Sequence, residues 1–435
     1  MAKELPDLHK VLDRLFAKSG EKPTIAGQAL FDRAAGRRKQ GASDNSRAVS
    51  APVFGARINP GTAIGLAGLL RRLTGASGPV VGLDLGASAA KLVRVEGRAV
   101  GGPQVTAVAC REIPPDVGDA QRKDFFQRAL REFHREGLLR GSVVMGVPED
   151  QVAVEQAAMP KMPASDLEKA VEWEAKEKIG ADSSSHCIRH LLLGESVADG
   201  KPQVDLLIFA VPKEDVLAPY HLISEAGGKV AAAEPGILGS VAALDAGGLF
   251  QPEEFVGVMD IGFRNSALAF VVNHKVRFIR SFSVAGDGAT RTIAEYCKVD
   301  YPSAEHQKRE TGLPEVGAIQ PAAQPGAEQD LRTRTGHALA LYLEKLANEV
   351  DHSLRYVTYY TLQRGSGRRL DRLYLLGGGA HLRNLGPFLE SRLGTEVRVA
   401  DPFERVVVAE GVGKGLPPGP ARTRLAAALG MALRG

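Results

Sequence analysis

Two stretches of this chain carry the same short pattern, and that repetition constrains the fold more than any other feature. Val81–Gly86 (VGLDLG) and Val256–Gly262 (VGVMDIG) each run from an apolar segment into Asp-x-Gly, and each is followed by a further apolar run, with Lys91 in the first and Ala267–Val272 as the second. An apolar run that stops at Asp-x-Gly and then resumes reads as strand, tight turn, strand. Two such hairpins point to an internal duplication with two similar halves facing each other.

The pattern has a chemical use. A glycine directly after a strand lets the backbone approach a ligand closely and aim N–H groups at an anion. An Asp two residues earlier can hold Mg²⁺ through water while the cation bridges phosphate oxygens. Ser88 could add a hydrogen bond, and Lys91 can neutralise a terminal phosphate as a point charge. Either hairpin alone is better explained by a tight-turn glycine. The pair is what points to a clamp on a triphosphate.

A third element is Leu375-Leu376-Gly377-Gly378-Gly379-Ala380. Three glycines after an apolar strand and before a helix can lie flat against a nucleoside or α-phosphate, with the helix N-terminus adding a favourable dipole. The alternative is a flexible connector.

The rest of the chain organises around these motifs. Its 435 residues allow about two to four compact units. A hydrophobic content of 44% with 24% charged residues excludes a collagen-like, wholly disordered or disulfide-stapled chain. The longest apolar stretch, near Ala63–Leu70, falls short of the roughly 20 residues that span a bilayer. The start MAKELPDLHK carries two acids and lacks the apolar core of a secretory signal. Cys110, Cys187 and Cys297 show no CxxC spacing and read as small buried residues in a reducing, cytosolic compartment.

Residues 1–79 hold thirteen Lys/Arg against six Asp/Glu, whereas the remainder is slightly acidic. Such an arm suits an inner-leaflet surface or an acidic partner, or is a solvated tail that needs charge only for solubility. No nucleic-acid module is present. Within the arm, Leu8, Val11, Leu12, Leu15 and Phe16 predict a short amphipathic helix over 7–18, and Leu66, Leu69, Leu70 and Leu73 form a second stripe.

Further along, the pattern predicts helices over Gln121–Gly137, over Ser165–Lys178 with Ser165 as cap, and over Val216–Ala226 with Pro219 in the first turn. Strands are predicted at Ser142–Val147, Asp205–Val211 and Leu373–Leu376, so that Met159–Gly228 reads as a helix-plus-strand insert. Pro321–Gly326 reads as an exposed loop. The longest helix follows it, with Leu339, Leu343, Leu346, Val350, Leu354 and Val357 on one stripe. Arg424–Arg434 reads as a short apolar helix. Gly411–Gly415 (GVGKG) lacks phosphate-loop spacing. His186 and His190 lie in an extended stretch that holds their rings roughly 13 Å apart, too far to share zinc. Trp173 reads as core or interface.

DLGASAAK, DIGFRNSA and LLGGGA resemble the two phosphate motifs and the adenosine motif of the actin-like ATPases. More narrowly, the chain resembles the PilM family, the cytoplasmic actin-like component of type IV pilus assembly. LLRRLTGASGPVVGLDLGASAAKLVRV, MPKMPASDLEKAVEWEAKEKIG, Ala304-Glu305-x-x-Lys308, Glu349-x-x-x-Ser353-Leu354-Arg355-Tyr356 and AAALGMALR carry the likeness over about residues 66–434, leaving the arm at 1–65 outside it.

That resemblance implies an α/β, two-lobed actin-like (ribonuclease H-like) fold with an inserted small α+β subdomain. The expected division is 1–65 arm, 66–158 first lobe, 159–228 insert, 229–255 first-lobe completion, 256–420 second lobe, and 421–435 a helix packing back on the first lobe. The resemblance implies ATP and Mg²⁺ as ligands. It assigns Asp84, Gly86, Ala87, Ser88 and Lys91 to the first phosphate hairpin and Asp260 and Gly262 to the second, with Asp84 and Asp260 facing the metal through water. Glu305 and Lys308 would lie near base and ribose, and Gly377, Gly378 and Gly379 would face the nucleoside. Glu234, before Pro235, sits where related proteins place an acid that orients the attacking water, although a Glu-Pro pair is also a helix start. Ser283–Gly288 departs from the usual paired glycine, which puts phosphate contacts there in doubt.

The implied partners are the N-terminal peptide of a PilN-like bitopic inner-membrane protein, other pilus platform and motor components, and the membrane surface. The implied location is the cytoplasmic face of the inner membrane, in twitching motility. Two roles stay open: a slow ATPase driving assembly, or a scaffold with ATP as structural ligand. A sugar kinase is disfavoured because the insert lacks a run of polar sugar-binding side chains. The cytoplasmic part of the type II secretion L protein is also similar.

Overall fold

The structure, a computed structural model, describes residues 78–97, 102–114, 117–198, 200–315, 330–361, 368–413 and 416–435. The arm at 1–65, its helix at 7–18, the Leu66–Leu73 stripe and the Pro321–Gly326 loop lie outside the described residues.

Strands buried almost continuously on both faces, Val80–Leu85, Ser142–Val147, Phe255–Ile261, Ser266–Val272 and Arg372–Leu376, build two mixed sheets with the same plan. In the first, β1 (Val80–Leu85), β2 (Ala89–Gly97) and β3 (Pro103–Glu112) form an antiparallel meander. Strands β4 (Ser142–Val147) and β8 (Lys229–Pro235) then add in parallel on the other side of β1. In the second, β9 (Phe255–Ile261), β10 (Ser266–Val272) and β11 (Lys275–Phe282) form the meander, and β12 (Arg372–Leu376) and β13 (Glu396–Val399) add in parallel beside β9. The first sheet also carries a two-residue edge strand, β14 (Val407–Val408), parallel to β3. Apart from it, the orders β3-β2-β1-β4-β8 and β11-β10-β9-β12-β13 match position for position. The repeated hairpin is thus the visible part of a repeated sheet. The fold is the mixed α/β actin-like fold.

A third sheet, antiparallel β5-β7-β6, is built from β5 (Ala153–Pro160), β6 (His186–Ala198) and β7 (Lys201–Pro212). Leu206, Ile208 and Ala210 pack on one face with Leu167, Val171 and Ala175 of the helix Ala164–Ile179. The alternate residues Leu207, Phe209 and Val211 join the core of the first sheet, as expected of side chains on opposite faces. Arg277 of β11 donates to the Leu193 carbonyl of β6 at 2.8 Å, tying this sheet to the second half.

Helix α1 (Asp119–Arg135) presents Phe125, Leu130 and Phe133 to Val81, Leu83, Val143 and Met145 of the first sheet. The Ala164–Ile179 helix is α2. It begins after Pro163, with Ser165 inside its first turn and no side-chain cap, so Ser165 is not the cap expected of it. Helix α3 spans Lys213–Glu225, which puts Pro219 in the interior instead of the first turn. Its buried Val216 and Ile223 belong to the first sheet's core.

Two helices hold the halves together. Helix α4 (Gly236–Ala246) follows β8 and is buried along most of its length. Its Ile237, Leu238, Val241 and Leu244 share one core with both sheets, including Val256 and Val258 of β9. Helix α9 (Ala426–Arg434) lies against β1 and α4 through backbone contact. A Cβ at Gly82 would lie 1.8 Å from the Ala428 carbonyl oxygen, and one at Gly430 would lie 1.7 Å from that of Gly239. The glycines and alanines of AAALGMAL are therefore what permit this crossing. On the far face of the second sheet, Met259, Ile261 and Phe270 pack beneath α5 (Gly286–Cys297), α6 (Tyr301–Thr311) and the long α7 (Leu331–Tyr356). Helix α8 (Leu385–Leu393) follows β12.

Candidate functional site

Strand pairing places the first hairpin's acid and base together. Asp84 and Lys91 are opposed in the β1–β2 ladder, and Lys91 Nζ donates to Asp84 Oδ2 at 2.7 Å. Burial works against the Lys91 ammonium, but the carboxylates of Asp84 and Asp260 outweigh it and hold the pKa above its ordinary value. The turn is tight: Gly86 N–H donates to the Ala89 carbonyl at 3.0 Å. A Cβ at Gly86 would lie 3.1 Å from Lys91 Nζ and 3.5 Å from either Asp84 oxygen. Arg122 of α1 donates to the Ala87 carbonyl, and the Ser88 carbonyl accepts from Ile113 N–H at 2.9 Å, so the loop is fixed from outside.

The second hairpin meets the first across α4. Asp260 lies on the same face of β9 as Val256 and Val258, toward α4, and accepts from Ser240 Oγ at 3.1 Å. Burial, with the Asp84 charge adding, pushes the Asp260 carboxyl up against the pull of Lys91. Asp84, Lys91 and Asp260 therefore share one electrostatic environment at the junction of the two sheets. Gly262 N–H closes its turn on the Asn265 carbonyl at 3.0 Å. At the departing Ser283–Gly288 stretch, Gly286 N–H donates to the Gly262 carbonyl at 3.1 Å and Asp287 N–H to that of Phe263 at 2.7 Å. Those two donors brace the second hairpin.

The triple glycine abuts the same acid. Leu376 pairs with Asp260 in the β12–β9 ladder. Gly377 has φ of 80°, and a Cβ there would lie 2.4 Å from Asp260 Oδ1. Glycine is thus required both by conformation and by space. No helix starts at these glycines: a 3₁₀ turn at Gly379–His381 follows, and α8 begins only at Leu385. The dipole expected there is absent. Instead the buried Thr423 clamps the loop, accepting from Gly377 N–H through its carbonyl at 3.2 Å and donating through Oγ1 to the Gly377 carbonyl at 2.8 Å. Arg424 lies over Gly378, its Cδ 3.8 Å from where a Cβ would stand, and pairs with Glu112.

Glu305 and Lys308 sit one helical turn apart on α6, with Lys308 Nζ 2.6 Å from Glu305 Oε2. Lys308 also donates to the Gly286 carbonyl at 3.0 Å and to Thr290 Oγ1 at 2.7 Å. Burial pulls the Lys308 ammonium below its ordinary pKa against the Glu305 carboxylate. For Glu305, burial is outweighed by Lys308 and the surrounding donors, which hold the carboxyl low. The pair fastens α6 to the α5 start and so to the second hairpin.

Glu234 does not join this group. On β8 it pairs with Gly146 of β4, two strands from β1, and it faces α9, where Arg434 Nη1 lies 3.0 Å from its Oε2. Burial raises its carboxyl, offset by Arg434 alone. The acid that does enter the group is Glu149, in the turn after β4. Its Oε1 accepts from the Ile237 N–H at the start of α4 at 2.7 Å, and its Oε2 is shielded from solvent with no hydrogen-bond partner among the described residues. Burial, with Asp260 and Asp84 adding, pushes its carboxyl up to about 8. The available sequence signal is Pro148-Glu149 directly following a strand that neighbours β1, at the carboxyl end where open α/β sheets bind ligands.

Among the described residues no set of three His, Cys, Asp or Glu is arranged to hold a metal directly. The three cysteines are free. His186 and His190 lie on β6 as expected of an extended stretch. Trp173 is 62% exposed and so is not core. Among the described residues no helix is long and apolar enough to cross a membrane.

The family model described as type IV pilus assembly protein PilM matches residues 82–435. Among solved structures, a PilM–PilN type IV pilus biogenesis complex is similar at 25% identity and a TM-score of 0.66, over 82% of this chain and 98% of that one. The ethanolamine utilization protein EutJ of Carboxydothermus hydrogenoformans is similar at 17% identity and a TM-score of 0.45, over 82% and 90%. MreB5 of Spiroplasma citri bound to AMPPNP is similar at 14% identity and a TM-score of 0.43, over 81% and 94%. No curated protein matches.

Proposed function

The chain belongs to the PilM family of type IV pilus assembly proteins, and from that premise we propose that it binds ATP with Mg²⁺ between its two sheets and carries a PilN-like peptide on the cytoplasmic face of the inner membrane. The observation that carries the nucleotide reading is the convergence of Asp84, Lys91 and Asp260, from two matched hairpins, beside a glycine loop that tolerates no side chain at Gly377.

The residues fit a polyphosphate. Lys91 offers a cation already held by Asp84, and Gly86 and Gly262 keep the backbone bare where phosphate oxygens would approach. Asp84 and Asp260 come from opposite sheets, so they would hold a hydrated Mg²⁺ through water, and the cation supplies charge neutralisation on the phosphates. Gly377–Gly379 would face the nucleoside, with Glu305 and Lys308 on the second hairpin's side of it. The first sheet with its helices, the insert (whose sheet takes in β5 from Ala153), the second sheet with its helices and the closing helix α9 are the units this reading moves against one another.

The partner reading rests on the similarity to the PilM–PilN complex. ATP binds both halves and so favours their closed arrangement. A peptide seated against the insert responds if it binds the two arrangements with different affinity. The test is a calorimetric titration of a PilN N-terminal peptide into the protein with and without ATP and Mg²⁺. Binding that differs at least about threefold between the two supports the reading. No peptide binding in either condition refutes the partner, and no ATP binding refutes the nucleotide site.

A further inference from the structure

Glu149 is a carboxylate in an unusual position. It sits in the Glu149–Gln151 turn at the end of β4, the strand that pairs with β1, on which Asp84 is the next-to-last residue. One oxygen takes the N–H of Ile237, so this acid occupies the start of α4 where an anion is favoured. The other oxygen, among the described residues, meets no donor and is shielded from solvent. Buried carboxyl oxygens are almost always hydrogen-bonded, because an unmade bond costs about 1–3 kcal/mol. Glu234 Oε1 is orphaned as well, but the other Glu234 oxygen is held by Arg434. Glu149 has no cation beside it among the described residues, so its open oxygen is the one left for a ligand.

The neighbours narrow that ligand. Ile237, whose N–H Glu149 takes, stands one helical turn before Ser240, which holds Asp260. A Cβ at Gly146, near the end of the strand that leads into Glu149, would lie 3.7 Å from Asp84 Oδ1, so Glu149 is set beside both acids. Among the described residues no lysine or arginine pairs with it, in contrast to Glu234, whose charge is matched by Arg434. A group that donates hydrogen bonds and is small enough to share this space with a phosphate and a hydrated Mg²⁺ is water.

We propose that Glu149, rather than Glu234, holds the attacking water for hydrolysis of the terminal phosphate. This rests on the nucleotide reading above. The ionised form of Glu149 accepts one hydrogen bond from the water at Oε2, which leaves the water's oxygen lone pair free. That oxygen bonds to the terminal phosphorus as the bond to the bridging oxygen breaks, and the bridging electron pair leaves with the nucleoside diphosphate. Both hydrogens of the water end on inorganic phosphate, which loses one to solvent. For so loose a displacement, placing the water is the protein's main task.

The experiment compares wild type with Glu149→Gln and Glu234→Gln. Glutamine at 149 keeps an acceptor for Ile237 N–H, and thermal unfolding checks that each variant is folded. ATP affinity is read by calorimetry and phosphate release by a single-turnover assay. The expected result is ATP affinity within threefold of wild type for E149Q, with phosphate release slower by at least about tenfold. Equal release by E149Q and wild type overturns the proposal. So does loss of release in E234Q with E149Q intact, or a wild type that binds ATP and releases no phosphate. A wild type that binds no ATP refutes the nucleotide reading instead.

Discussion

Asp84 and Lys91 face each other across the β1–β2 ladder with carboxylate and ammonium 2.7 Å apart, both largely buried. The pair lies where the first hairpin meets the field of Asp260 from the second half. Removing Lys91 leaves two buried carboxylates uncompensated and takes away the cation that a phosphate would meet. Lys91→Ala is expected to weaken ATP binding at least about tenfold, or ~1.4 kcal/mol, read by calorimetry. Unfolding by urea should show a loss of stability as well, because a broken buried pair costs about 3–5 kcal/mol.

Gly377 gives a sharper steric prediction. Its φ of 80° acts together with the 2.4 Å that would separate an added methyl carbon from Asp260 Oδ1. Gly394 also has positive φ, at 63°, but open space around it. Gly394→Ala should cost about 1 kcal/mol for conformation alone. Gly377→Ala should cost more, about 2–4 kcal/mol, because overpacking adds to the strain. Denaturant midpoints for the two variants check the order.

The parts of the fold written in short-range pattern are legible without any coordinates. Asp84-x-Gly86 and Asp260-x-Gly262 announce themselves because strand, turn and strand lie within a few residues. So do the strand into Gly377–Gly379 and the stripe of α7. What is not legible depends on partners far along the chain. Glu149 meets Ile237, 88 residues away, and nothing near Glu149 in sequence hints at that contact. Glu234 reads as available for chemistry because Arg434, its neutralising partner, lies on the last helix. The glycine loop reads as the opening of a helix, yet its support comes from Thr423 on a later turn. Proline is easiest in a first turn, which is where the pattern places Pro219. In the structure α3 starts at Lys213 and carries the proline inside.

The raised carboxyl of Glu149 predicts how stability depends on pH. Its folded pKa, about 8, stands above the ordinary 4.5, so the folded state prefers the neutral acid. That contribution is complete below the unfolded value and is lost progressively as pH rises from about 4.5 through 8. Asp260, also pushed up by burial, contributes with the same sign. Urea unfolding of the ligand-free protein between pH 5 and pH 9 should show stability falling toward the alkaline side. In Glu149→Gln the slope should be visibly flatter and not zero, since Asp260 remains.

Arg434 is predicted to matter for stability and not for nucleotide. Its guanidinium neutralises Glu234, whose other oxygen, Oε1, is buried without a hydrogen-bond partner among the described residues. Arg434→Ala should destabilise by about 3 kcal/mol, measured by denaturation. ATP affinity of the folded fraction should stay within threefold of wild type.

The decisive measurement is a titration of ATP with Mg²⁺ into the purified protein and into Asp260→Asn. One ATP bound per chain by wild type, with affinity at least about tenfold weaker in the variant, is the expected result. No binding by wild type, or equal affinity in the two proteins, would contradict a site closed by hairpins from both halves.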